Sequence, residues 1–451
     1  MGRRSRSALL ALGLLTTAAA LAPAAPAGAG TRDTTAPRHG AVPRPPSRAT
    51  CASTLGTDCL RPAQVRKAYR VGALAARGIA GKGVTIAIVD SFGSPTIRHD
   101  LQVFDRAFGL PDPPHFRIIA PAGAPPRYDN SDDRAGWAGE TTLDVEWAHA
   151  MAPKANILLV VTPTSETEDV HGFPEIVKAE RYVISNHLAD IVSQSFGATE
   201  PTFTGGRATV MKLRQSIYPL ARKNHITVVA SSGDNGATDY TRTMKSLYRH
   251  RVTSWPSTDP LVTSVGGTQL HLNAQGDRLQ PDSAWGGPSA SGAGGGGVSS
   301  FFTRPAFQAS VQSVVGNHRG TPDISMNAAG QSPVLVYQSY DPTDTGWGVT
   351  WGTSEAAPLF AGIVALTAQA VGHRVGWINP ELYRLAQRPG TGIVDVTAGT
   401  NDLDHGQAAP GGPSVSFRGF AAMAGYDLAT GLGTVDASLF VPALAAAVRA
   451  R

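Results

Sequence analysis

Apolar, β-branched runs recur along the chain at residues 84–90 (VTIAIVD), 116–120 (FRIIA), 157–161 (ILLVV), 191–196 (IVSQSF), 227–233 (TVVASSG) and 261–267 (LVTSVGG). Short runs of this kind, bounded by turn residues, predict strands. Between several of them lie stretches with helical spacing, at 140–151, 209–223, 355–372 and 437–448. Strands that are apolar on both faces and alternate with helices predict an α/β fold with a mostly parallel sheet covered by helices on both sides. No internal repeat interrupts this pattern. Ligand sites in such sheets gather beyond the carboxyl ends of the strands. Asp90, Ser195-Phe196-Gly197 and Ser232-Gly233-Asp234 stand at those ends.

The N-terminal pattern is different. Arg3, Arg4 and Arg6 precede an apolar run over 8–22, broken by Gly13 and Thr16-Thr17, and Ala25-Pro26-Ala27-Gly28-Ala29 follows. Residues 1–29 therefore read as a secretory signal peptide cleaved after Ala27 or Ala29. The run falls short of the ~20 residues of a membrane span, so export without membrane anchoring is expected. The pair Arg3-Arg4 also fits a route for folded proteins, although Ser5-Arg6-Ser7 favours the general one. Residues 30–59 form a Pro/Arg-rich segment, and the poverty of large apolar side chains over 30–50 predicts a mobile linker. Cys51 and Cys59 are the only cysteines. In an oxidising compartment they are expected to pair; a thiol metal or redox site is the alternative. The domain proper is expected over 60–451.

Composition narrows the function classes. A chain of 451 residues with 42% hydrophobic and 16% charged residues can bury a large core, and its 50 Gly and 33 Pro imply many tight turns. The net charge of +5 suggests nucleic acid until it is mapped: residues 1–50 carry +6, so the other 401 carry −1. The folded part is near neutral, which argues against a nucleic-acid partner.

Four segments carry chemistry-bearing residues. Gly352-Thr353-Ser354-Glu355-Ala356-Ala357-Pro358 leads into a small-residue helix. A Ser there sits beside unpaired backbone N–H groups that can hold an oxyanion, or it simply caps the helix. A Ser nucleophile needs a base. Asp90 closes the first strand as the acid of a His-dependent triad would, with His99 the next histidine, but no His-Gly-Thr-His stretch follows. Gly139-Glu140-Thr141-Thr142-Leu143-Asp144 stands at that stage instead. Glu140 and Asp144, four apart, share a helix face with Cβ atoms roughly 6 Å apart. They are either a proton-sharing pair or a solvated helix start. Asp234, in Ser232-Gly233-Asp234-Asn235-Gly236, is an oxyanion acid or an ordinary turn residue. Gly292-Ala293-Gly294-Gly295-Gly296-Gly297 opens no helix, so the phosphate-loop reading fails and a flexible loop near the cleft is expected. His149 lacks a helix-spaced second ligand and reads as packing or surface.

Taken together, these residues resemble the sedolisins, the serine-carboxyl peptidases of subtilisin-like fold. The resemblance runs from about Leu60 to the C-terminus. It also takes in Phe92-Gly93-Ser94-Pro95, Trp255-Pro256-Ser257, Val265-Gly266-Gly267-Thr268, Pro322-Asp323-Ile324-Ser325 and Asn379-Pro380-Glu381-Leu382-Tyr383. It implies a three-layer fold with Ser354 as nucleophile, Glu140 as general base, Asp144 orienting Glu140, and Asp234 as the oxyanion acid. It also implies one structural Ca²⁺ held by the Asp395 and Asp427 side chains and the carbonyls of Val396, Met423 and Gly425. Carboxylate base and carboxylic oxyanion donor both suit acid conditions. A secreted, monomeric endopeptidase that acts on protein or peptide substrates at low pH is therefore expected. A secreted pseudopeptidase that binds peptides or cell-wall material is the non-enzymatic alternative. Three departures stand out. The thirty residues after the signal peptide leave no room for the long prodomain typical of the family. Trp351 replaces the usual Ser before Gly-Thr-Ser, and Glu355 brings a further negative charge beside the nucleophile.

Overall fold

All six apolar runs fold as strands, and a seventh joins them in the central sheet of the computed structural model, which describes residues 43–54, 56–288, 290–407 and 414–451. The expected signal peptide and most of the linker lie outside the described residues. The strands are β1 (Thr85–Ser91), β2 (Phe116–Ile119), β3 (Asn156–Thr162), β4 (Ile191–Gln194), β5 (Thr227–Ser231), β6 (Thr263–Gln269) and β7 (Ile324–Asn327). Their order is β7-β6-β5-β4-β1-β3-β2, with every neighbouring pair parallel. The two-residue strand Ser283–Ala284 adds to β6 antiparallel.

Alternation along β1 shows why this is a three-layer α/β, subtilisin-like fold. Ile86 and Ile88 face one buried cluster while Ala87 and Val89 face another, so both sides of the sheet are covered. The first cluster is built on two long helices, α1 (Asp132–Met151) and α2 (Thr353–Val371), which pack on each other, with α2 also lying across β4 to β7. Ala356, Ala357, Ala361, Gly362, Ala365 and Ala368 keep α2 thin enough to lie close to the sheet. Among the described residues α2 is long and apolar enough to cross a membrane, but 83% of its apolar window is buried inside the protein, as a core helix would be.

Strand β1 has β3 on one side and β4 on the other, so the chain changes direction across the sheet beside it. Such a switch point leaves a crevice at the carboxyl ends. Asp90, Ser195 and Asp234 all stand there.

Two expectations are corrected. The helix expected over 209–223 is broken into Gly206–Gln215 and Tyr218–Lys223, because Pro219 in the first turn of the second has no N–H to continue the first. The described part of the linker is docked rather than loose. Arg48–Thr54 is helical, Cys51 and Cys59 are disulfide-bonded with Cα atoms 6.0 Å apart, and both pack on Leu335. Arg48 pairs with Asp58, and the Trp347 indole donates to the Pro43 carbonyl at 3.0 Å. A small apolar contact with its polar groups satisfied holds what composition alone would leave free.

Candidate active site

Ser354 is the second residue of α2 and only 7% exposed. The residue four further on is Pro358, which has no N–H to give to the Ser354 carbonyl. The Ser195 hydroxyl, just past β4, donates to that carbonyl instead at 3.3 Å. The proline in the motif thus tethers the start of α2 to the edge of the sheet. Gly352, just before the helix, has φ +127°, and a Cβ there would lie 2.8 Å from Asp234 Oδ2. Only glycine lets the acid lie against this turn.

Asp234 is fixed from the same side. Its Oδ1 accepts both the backbone N–H and the hydroxyl of Thr353, each at 2.8 Å. Oδ2 has no hydrogen-bond partner among the described residues. Burial pushes the Asp234 carboxyl up to about 6, against the pull of the two Thr353 bonds. A carboxyl one residue from the nucleophile's helix, protonated in acid, is placed to donate to an oxyanion.

Helix α1 brings Glu140 and Asp144 to the same place. Glu140 is 3% exposed and Asp144 is fully buried. Glu140 is raised well above its ordinary range by burial and then by the Asp90 charge, while the neighbouring Ser354 and Ser195 hydroxyls pull it down. Asp144 is raised by burial and by Glu140. Asp90 is likewise raised, to about 7, by burial. Three carboxyls that face one another without a cation cannot all ionise; they share protons. No hydrogen bond closes between Ser354 Oγ and Glu140, and Glu140 Oε1 and both Asp144 oxygens are buried without a partner. Ser354, Glu140 and Asp144 are therefore brought together without a hydrogen bond between them.

Sequence reasoning marked Asp90 as a strand-end position and weighed it only as the acid of a rival His-dependent triad, without grouping it with Glu140 and Asp144. Its position at the end of the strand central to the switch point was the available signal. His99 is not at the site: its ring is largely exposed and bonds Asp100 Oδ1 at 3.1 Å and Ser339. Thr353, which grips Asp234, was likewise not singled out.

Two further expectations change, and one left open is decided. Glu355 is turned toward Asn327: it is fully buried, accepts from Asn327 Nδ2 at 2.8 Å, and burial raises its carboxyl well above its ordinary range. The glycine run is no flexible loop. Gly294, Gly295 and Gly296 are buried and hydrogen-bonded, Gly295 N–H to the Gly233 carbonyl at 2.7 Å, and a Cβ at Gly295 would collide with the Ser232 carbonyl. The run is close-packed backbone that supports the Asp234 turn. His149 is wholly buried, with Nε2 at 2.8 Å from the Pro111 carbonyl and 3.2 Å from Asp105.

The residues expected to hold calcium are neighbours. Asp427 accepts the Met423 N–H at 2.8 Å and Asp395 accepts the Gly425 N–H at 2.7 Å, so two carboxylates bracket one loop. No backbone bond among the described residues uses the Val396, Met423 or Gly425 carbonyls, which leaves hard oxygen donors of the right kind. Among the described residues no group of three or more His, Cys, Asp or Glu side chains is placed to hold a metal ion.

Comparison with known proteins agrees with this geometry. Residues 129–385 match the model of the Subtilase family. The chain is 30% identical over 379 residues to kumamolisin from Bacillus sp. (strain MN-32), covering 83% of this chain and 61% of that protein. It is 27% identical over 356 residues to sedolisin from Pseudomonas sp. (strain 101), covering 78% and 56%. The chain thus spans about three fifths of these relatives' length. Among solved structures, the Pseudomonas sedolisin complexed with pseudo-iodotyrostatin superposes with a TM-score of 0.68 at 25% identity, covering 88% of this chain and 99% of that one.

Proposed function

The chain belongs to the subtilase family, in its sedolisin or serine-carboxyl branch, and on that premise we propose that it is a secreted endopeptidase that cleaves protein or peptide substrates in acid through Ser354, Glu140, Asp144 and Asp234. The observation that carries this reading is the meeting, from separate segments, of a helix-start serine with buried carboxyls and no histidine.

In this mechanism, in the fraction of molecules whose Glu140 is ionised, Ser354 Oγ attacks the scissile carbonyl carbon while its proton passes to Glu140, held in place by Asp144. The carbonyl π bond opens to an oxyanion, which the Asp234 O–H and the Ser354 backbone N–H at the start of α2 stabilise. The intermediate collapses, the C–N bond breaks, and Glu140 returns the proton to the leaving amine. Water then attacks the acyl-enzyme, losing a proton to Glu140, and the ester bond breaks with Ser354 reprotonated. Asp234 donates only while protonated, so the activity belongs below about pH 6. Asp395 and Asp427, with the carbonyls of Val396, Met423 and Gly425, would hold one Ca²⁺, which when bound neutralises their charge and cross-links the loops. The Cys51–Cys59 disulfide supports an extracellular setting, and the near-neutral domain argues against a nucleic-acid partner.

The test compares digestion of a denatured protein at pH 4 and pH 8 by wild type, Ser354→Ala and Glu140→Gln. Cleavage at pH 4 by wild type alone is expected. Wild type no better than either variant would leave a peptide-binding pseudopeptidase.

A further inference from the structure

The helix that carries Glu140 and Asp144 also carries a fully buried acid that this mechanism does not use, Glu146. It lies two residues after Asp144. At 3.6 residues per turn two steps carry a side chain about 200° round the helix, so the two acids point to opposite sides of α1. Asp144 meets the catalytic group, whereas Glu146 meets the hairpin of Val334–Gln338 with Gly346–Thr350.

That hairpin delivers the nucleophile. Its second strand ends at Thr350, three residues before α2 begins at Thr353. The outer edge of its first strand is bonded at three alternate residues by side chains from elsewhere. The Trp147 indole donates to the Leu335 carbonyl at 3.0 Å, the Tyr337 N–H donates to Glu146 Oε2 at 3.1 Å, and the Ser339 N–H donates to Asp100 Oδ2 at 3.1 Å. Two of these three bonds come from α1, which thus serves the strand edge where another strand would otherwise pair. Helices α1 and α2 also touch directly, since a Cβ at Gly362 would lie 2.5 Å from Met151 Cβ. That contact is about three turns beyond Glu140. Glu146 lies between the two.

We infer that Glu146 is a positioning residue: through Tyr337 it pins the helix of the general base to the hairpin that leads into Ser354, and so fixes the spacing of base and nucleophile. The inference rests on the peptidase reading for the roles of Glu140 and Ser354. With no hydrogen bond between those two side chains, their spacing depends on contacts of this kind.

The pin answers to charge. Glu146 Oε1 is buried without a partner, and the charged groups that face it are Asp100 and Asp105 of the helix Ile97–Phe108. His99 and His149 bond those aspartates, and neither bonds Glu146. Burial holds the Glu146 carboxyl well above its ordinary range, against the pull of the Tyr337 N–H. In acid it is neutral and the contact is closed. As pH rises through the folded value, a charge forms beside acids with no cation in reach, and water can hydrate it only by opening the edge of the hairpin.

Steady-state cleavage of a fluorogenic peptide at pH 4 tests the pin. Glu146→Leu, which removes the acceptor at similar size, should lower kcat at least tenfold with KM within threefold of wild type. Glu146→Gln, which keeps an acceptor for the Tyr337 N–H and cannot ionise, should recover at least half of the wild-type kcat. Glu180, another buried acid, is bonded by Gln194 of β4 and supplies the control: Glu180→Leu should lower the melting temperature and leave kcat in place. Hydrogen exchange over 334–340, corrected for the intrinsic effect of pH and referred to β5, should rise at least threefold from pH 4 to pH 7.5 in wild type and stay level in Glu146→Gln. A kcat that Glu146→Leu lowers no more than Glu180→Leu does overturns the inference and leaves the peptidase reading intact. Should Glu146→Leu fail to fold, exchange that rises in Glu146→Gln as in wild type overturns it. Should wild type not cleave, the peptidase reading falls and exchange alone decides: a rise abolished by Glu146→Gln supports the pin, and a level wild type overturns it.

Discussion

Two buried sets of acids lie in this molecule, and they are handled in opposite ways. Beside β7, Asp323 is fully buried but saturated: it takes a two-pronged bond from the fully buried Arg319, the Tyr383 hydroxyl at 2.9 Å and the Ser264 N–H at 2.8 Å. At the switch point, Asp90, Glu140 and Asp144 are just as deep, yet no cation reaches them and most of their oxygens lack any partner. The first arrangement compensates a permanent negative charge. The second makes charge expensive and so keeps protons in place. Depth alone does not tell a structural acid from a reactive one; the partners do.

The contrast can be broken most severely at the nucleophile. Ser354→Ala and Asp234→Asn are each expected to lower kcat/KM at pH 4, Ser354→Ala by at least about 10³-fold, with little change in melting temperature. Next in size is the saturated acid. Asp323→Asn strands Arg319 and should cost about 3–5 kcal/mol of stability, read by denaturant unfolding, while the pH dependence of the remaining activity stays where it was.

The pH dependence of stability follows. Groups whose folded pKa is raised, such as Asp234 to about 6, Asp90 to about 7 and Glu180 to about 8, stabilise the fold fully only below their unfolded value near ~4. That contribution is lost as pH rises through the folded values. The melting temperature should therefore fall between pH 4 and pH 8, by on the order of 10 °C. A flat curve over that range would falsify the proton-holding account. The smallest effect expected is from chelation, which should lower the melting temperature by a few degrees if the 395–427 loops hold calcium.

The sheet was legible because each of its long strands is a continuous apolar run, a pattern that burial on both faces demands. The short hairpins Val334–Gln338 with Gly346–Thr350 and Leu403–Gln407 with Ser414–Phe417 were not, since their residues are partly polar and their pairing depends on tertiary partners. At the site, the motif around Ser354 and the four-residue step from Glu140 to Asp144 are local signals. Asp90 is not: it gains its meaning from acids far away in the chain, which no window of sequence contains. Glu355 was misread for a related reason. Neighbourhood along the chain was taken for neighbourhood in space, whereas the helix turns that side chain toward Asn327.

The segments that supply the acids and the serine are spread over 90–354, and each carboxyl is unusual only because the finished core excludes water around it. A chain still being assembled carries the same residues as plain, hydrated acids with ordinary titration, beside a hydroxyl no more reactive than any other. On the proposed peptidase reading, the capacity to cut would be a late product of assembly, and incomplete copies would not digest their neighbours while they fold.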